Sequence, residues 1–240
     1  MRCNAVTDSE LLMEGQPSAV GFSCRYLPGS RISRADFRFA ERLATLHHAD
    51  GSSRTIVWDE RVPMDVYTQV YGVGISPDGR LLFVPSWEKG ITCLNAGDGR
   101  ILWEFRKKHA RQVFCYDEYL VCFFEGEALR RISYAGEALQ RLPFTGNSAD
   151  CWMFADGPLF MGPMRRRFML LHPEDLSVMN TFPQKAVTGT EDDPFLVWNV
   201  TGTSDAITLH CWHNDTRITR ELCPDDAGNK EAEGAARRIF

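Results

Sequence analysis

All-β is the class this sequence predicts, and two observations predict it. The stretch Gly74 to Phe105, GISPDGRLLFVPSWEKGITCLNAGDGRILWEF, alternates short apolar runs with tight-turn signals. Its first and last turn signals then recur together downstream at a spacing of roughly 40 residues, the period of a repeat architecture. Four strands joined by short turns make one antiparallel blade of a β-propeller, so the expected fold is a propeller of about five four-stranded blades in a single domain.

Each element of the opening stretch has a local cause. In Ser76-Pro77-Asp78-Gly79 the proline presets φ, the aspartate suits the next turn position and the glycine can take φ > 0, which makes a hairpin turn. Leu81-Leu82-Phe83-Val84 then reads as a strand. Glu88-Lys89-Gly90 turns the chain into Ile91-Thr92-Cys93-Leu94, and Gly97-Asp98-Gly99 turns it into Ile101-Leu102-Trp103-Glu104-Phe105.

The first-turn aspartate Asp78 returns as Asp117, Asp156 and Asp192, at steps of 39, 39 and 36 residues. The last turn at Gly97-Asp98-Gly99 returns as Tyr134-Ala135-Gly136, as His172-Pro173-Glu174-Asp175 and as His213-Asn214-Asp215. Two turn series advancing in phase imply blades at 69–105, 111–143, 149–182 and 185–222. Upstream, Ala49-Asp50-Gly51-Ser52 before Thr55-Ile56-Val57-Trp58 repeats the last turn and gives a less regular blade at 10–59. Its outer strands are expected near 36–47 and 54–59, with Leu27 to Ala35 as a long inner connection. The tail at 224–240 offers Arg237-Arg238-Ile239-Phe240 as a ring-closing strand, with a short helix over 232–239 as the competing reading.

Composition narrows the function classes. Apolar residues make up 44% of the chain and aromatics 11%, enough for a substantial core, and the net charge of −5 does not call for nucleic acid. No apolar run approaches the ~20 residues that span a bilayer, and acids occupy the N-terminal stretch where a secretory signal would be apolar. The expectation is a cytoplasmic, monomeric protein. The eight cysteines are dispersed; Cys93, Cys115, Cys122, Cys151 and Cys211 fall in strand-like runs, where thiols pack as small hydrophobes.

Leu94-Asn95-Ala96-Gly97-Asp98-Gly99-Arg100-Ile101-Leu102-Trp103 closely resembles the repeat of quinoprotein-like (PQQ-type) β-propellers. Ser76-Pro77-Asp78-Gly79-Arg80 resembles the inner turn of WD40-like propellers. The strong match covers one blade, with Ile132 to Leu139 a weaker second. The resemblance implies fold, since enzymes, assembly factors and scaffolds share the repeat. Quinoprotein dehydrogenases repeat their tryptophan around the ring and carry cofactor and calcium ligands. Here the positions equivalent to Trp103 hold Leu139 or Gln140, Met179 and Thr219, so no cofactor is expected.

Catalytic and metal-binding patterns weigh lightly. His210 and His213 point to opposite faces of one strand, as do His47 and His48, so neither pair shares an ion. Gly72-Val73-Gly74 leads into a hairpin rather than a helix, unlike a dinucleotide fingerprint. No carboxylate pair stands out as general acid and base.

The polar features left are basic. Lys107-Lys108-His109 follows one blade's outer strand and Arg165-Arg166-Arg167 joins two strands of another. In an up-and-down blade, the second turn and the link to the next blade share one end. Arg31, Arg34, Lys89, Lys107, Lys108, Arg165 and Arg166 are expected there, with Trp87 as an aromatic anchor. Turn acids such as Asp50, Asp78, Asp98, Asp117 and Asp156 are expected at the opposite end, with few cations among them. This reads as a non-catalytic interaction module, a scaffold or an immunity-type antagonist, that holds a protein partner with an acidic contacting surface. The competing class is a propeller hydrolase, lyase or small-ligand binder using the central channel.

Overall fold

In the first sheet, β1 (Ala5–Val6), β2 (Phe22–Cys24), β3 (Ile32–Arg38), β4 (Leu43–His48) and β5 (Ser53–Val57) pair in sequence order. The structure is a computed structural model, and it describes residues 5–6, 22–24, 31–65, 68, 73–144, 150–154, 156–164, 167–184, 195–213 and 216–222. The second sheet holds β6 (Gly74–Ile75), β7 (Leu81–Ser86), β8 (Gly90–Asn95) and β9 (Ile101–Phe105). The third holds β10 (Ala110–Cys115), β11 (Tyr119–Phe124), β12 (Ala128–Ser133) and β13 (Ala138–Pro143). The fourth holds β14 (Asp150–Met153), β15 (Leu159–Met164), β16 (Arg167–Leu171) and β17 (Val178–Pro183). The fifth sheet comprises β18 (Phe195–Thr203), β19 (Ala206–His213) and β20 (Thr216–Leu222). Among the described residues the strands pair antiparallel with their chain neighbours, as expected for blades joined by short turns.

The chain divides into two compact units. One, Arg2–Phe124 with Leu129–Arg141, contains the first two sheets and most of the third. The other, Glu125–Ala128 with Leu142–Phe240, contains the fourth and fifth.

Within the first unit the inner strands are apolar on both faces. Every residue of β11 is buried, and β8 is buried from Gly90 to Leu94. Strands covered on both sides read as unbroken apolar runs for this reason. The outer strand β9 instead alternates between half-buried and exposed positions, as a strand with one solvated face should. Phe83, Ile91, Val113, Leu120, Phe124 and Ile132 join one core. Burying side chains of this size contributes roughly 1.5–3 kcal/mol each before the ordering cost. Cys93, Cys115 and Cys122 pack among them outside any disulfide; burial pushes Cys93 up to about 12 and Cys122 well above its ordinary range. In the second unit, Phe154, Phe160, Phe168, Phe182, Val197 and Leu209 form the corresponding core.

Trp103, the residue on which the quinoprotein-like resemblance rests, docks on the last turn of the third sheet. Its indole N–H donates to the Tyr134 carbonyl at 2.9 Å. Gly136 has φ +89, and a Cβ there would sit 3.0 Å from the indole. The glycine thus both makes the turn and admits the ring.

One expectation changes, and another falls outside the described residues. In the first sheet, Ile32–Arg38 is a strand and not a connection, because Phe39–Glu41 forms a 3-10 turn closed by Arg42 at φ +55. The apolar series Ile32, Ala35, Phe37 is buried on this strand, with a register shift between Ile32 and Arg34. In the last sheet, Asp192 lies outside the described residues. There the Ser204 N–H and hydroxyl donate to the Asp156 carboxylate at 3.0 and 2.6 Å. The β18–β19 turn therefore shares an end with the β14–β15 turn. Ser204 and Asp205 form this turn, while Asn214 and Asp215 also lie outside the described residues.

Candidate partner-binding corner

The β7–β8 turn, Trp87 to Lys89, meets the β9–β10 link, Arg106 to His109. Gly90 brings them together: it has φ +99, and a Cβ would fall 2.1 Å from the Phe105 carbonyl oxygen and 2.7 Å from the Lys107 nitrogen. Only a residue without a side chain lets the link pass at this distance. The His109 N–H donates to the Trp87 carbonyl at 2.6 Å, and His109 has φ +68, uncommon for a residue with a side chain. The imidazole lies against the indole with ring centroids 4.5 Å apart at 35°.

From behind, Asp65 pins the turn. One carboxylate oxygen accepts the Trp87 N–H at 2.6 Å and the other accepts the Thr68 N–H at 3.0 Å. The Thr68 hydroxyl, fully buried, donates to the Pro85 carbonyl at 2.6 Å. The result is a half-buried aromatic pair fixed by backbone bonds, with Glu88, Lys89, Lys107 and Lys108 exposed beside it. Lys108 reaches Glu88 at 3.2 Å across the junction. Both partners are about two-thirds exposed, so the pair adds little stability.

Of the residues expected to bind a partner, the structure brings Trp87, Lys89, Lys107 and Lys108 into one corner. Arg31 is elsewhere: its N–H donates to the Pro77 carbonyl in the β6–β7 turn at 2.8 Å, the opposite end of β7. Arg34 lies within β3, in register with His47, rather than in a loop. Arg165 and Arg166 lie outside the described residues. The stacking of His109 on Trp87 and the bracing by Asp65 carry no local sequence signal, since the partners are 22 residues apart in each case.

The opposite end differs from the charge pattern expected. Asp78 accepts the Ser76 hydroxyl at 2.6 Å and the Arg80 N–H at 3.0 Å, while Asp98 accepts the Arg100 N–H at 3.0 Å. Arg80 and Arg100 also bring their side chains to these carboxylates, at 3.5 and 4.0 Å. With Arg31 at the same end, the turn acids stand among cations.

Comparison with solved structures gives the frame for this corner. A chain in the crystal structure of the mitotic checkpoint complex is matched with a TM-score of 0.52 at 14% identity, over 83% of this chain and 63% of that one. The WD40 β-propeller domain of Doa1 gives 0.51 at 12% identity, over 81% and 62%. The virginiamycin B lyase from Staphylococcus aureus gives 0.50 at 12% identity, over 87% and 78%. The fold is a WD40-like, PQQ-like β-propeller. The chain spans about three-fifths of the first two of these chains. No family model and no curated protein matches the sequence. No helix among the described residues is long and apolar enough to cross a membrane.

Proposed function

We propose that this propeller is a non-catalytic protein-interaction module that holds an acidic segment of a partner at the Trp87–His109 corner. The observation that carries the reading is the convergence of Lys89, Lys107 and Lys108 around a fixed aromatic pair. A rigid aromatic surface costs little ordering entropy on binding, and ammonium groups at its rim steer a carboxylate-rich partner and select against basic ones. The working setting is a cytoplasmic monomer acting as a scaffold or antagonist.

The test replaces Lys107 and Lys108 with glutamate and measures binding of a purified partner at low and high salt. A partner is first trapped by a photo-crosslinker at Lys89. Binding should weaken at least tenfold in the double variant, and the salt dependence of the wild-type on-rate should flatten. Undiminished binding rejects this face.

A further inference from the structure

Histidine is the side chain whose charge ordinarily changes near neutral pH, and the position of His109 in this corner gives such a change a consequence. Its backbone is held at φ +68 and its N–H is tied to the Trp87 carbonyl. On this backbone the ring lies 4.5 Å from the indole. An imidazolium over an indole face gains a cation–π attraction that a neutral imidazole lacks.

The charged groups on the elements packed here are mixed. Lys107 and Lys108 share the link with His109, and Arg106 on the same link pairs with Glu104 at 3.0 Å. Glu88 and Lys89 come from the β7–β8 turn, Asp65 from the segment behind it, and Arg111 from β10. Neighbouring ammonium groups oppose a further positive charge, while a docked carboxylate favours it. Proton binding and partner binding therefore assist one another.

We propose that His109 makes this docking surface pH-sensitive, so that an acidic partner is held more tightly as pH falls from about 7.5 to about 6. The inference rests on the docking reading above and adds its regulation.

The probe is a dye-labelled oligo-aspartate, whose carboxylates stay ionised across this range. Its affinity for the full chain at low salt should rise roughly three- to fivefold between pH ~7.5 and ~6. His109→Asn removes the titrating group while tolerating positive φ, and His109→Gly serves if that variant folds poorly. Either should bind equally at both pH values and keep its salt dependence. In the free protein, indole fluorescence of the wild type minus that of His109→Asn should titrate in the same range, because an imidazolium in contact with Trp87 quenches it. Lysine-dependent peptide binding that is equal at both pH values overturns the switch and leaves the docking reading standing. A flat fluorescence difference also overturns it. Peptide binding that is absent, or that ignores Lys107→Glu and Lys108→Glu, overturns the docking reading and this inference with it.

Discussion

The two ends of β7 use the same turn-forming chemistry to different effect. At the β6–β7 end, Asp78 is occupied by its own turn, accepting from Ser76 and Arg80, and Asp98 and Asp50 do the same for Arg100 and Ser52. These acids are placed by backbone chemistry and flanked by arginines. At the β7–β8 end, Gly90 and Asp65 shape the backbone, and the lysines project from it in exposed positions. Charge counted by residue type overstates the first end as an acidic surface. What marks the second is a fixed aromatic pair beside cations.

The largest effect expected from this comparison is at Gly90. A Cβ there meets backbone atoms of the link, and the positive φ adds strain. Gly90→Ala should cost roughly 3 kcal/mol, lowering the thermal unfolding midpoint by roughly 6–12 °C. An unchanged midpoint would show that the corner is not locked as described.

Gly79 is the counterpart at the other end. It has φ +71, and a Cβ would meet the flexible tip of Ile32 at 2.7 Å. Gly79→Val should cost about 2 kcal/mol by thermal unfolding, less than the Gly90 change because a side chain can yield where backbone cannot. Asp78→Ala should follow at about 1 kcal/mol, the loss of turn hydrogen bonds at a part-exposed site. A cost above that of Gly79→Val would mean that the acid, and not the backbone geometry, holds the turn.

Lys107→Glu with Lys108→Glu should change stability by no more than about 0.5 kcal/mol in chemical denaturation, because these side chains are exposed. A large loss would reassign them from recognition to folding.

The smallest effect lies at Asp59. Hydrogen bonds from the Arg61 side chain and backbone hold its carboxyl down at about 2. A depressed carboxyl contributes stability that is present above its unfolded value and fades as pH falls from near 4 towards 2. Asp59→Asn should flatten that part of the acid-unfolding curve slightly. The pair is open to solvent on its Arg61 side, which screens it, so the change is small.

The amino-acid sequence by itself determined the repeat. Turn residues act within a few positions: Pro77, Asp78 and Gly79 close their hairpin through bonds spanning five residues or fewer. The phase of Asp78, Asp117 and Asp156 therefore shows in the residues alone, as does the burial of the runs between them. Only the tertiary structure decided what depends on contacts between distant segments. The first sheet's β3 emerges from a run that reads locally as a loop, because Ile32, Ala35 and Phe37 gain burial only once neighbouring strands are in place. The β18–β19 turn at Ser204-Asp205 is tied to Asp156 by a bond that spans 48 residues. The Trp87–His109 corner likewise depends on Asp65 reaching Trp87 and on Gly90 admitting the Phe105–Lys107 backbone, across chain separations that no local pattern encodes.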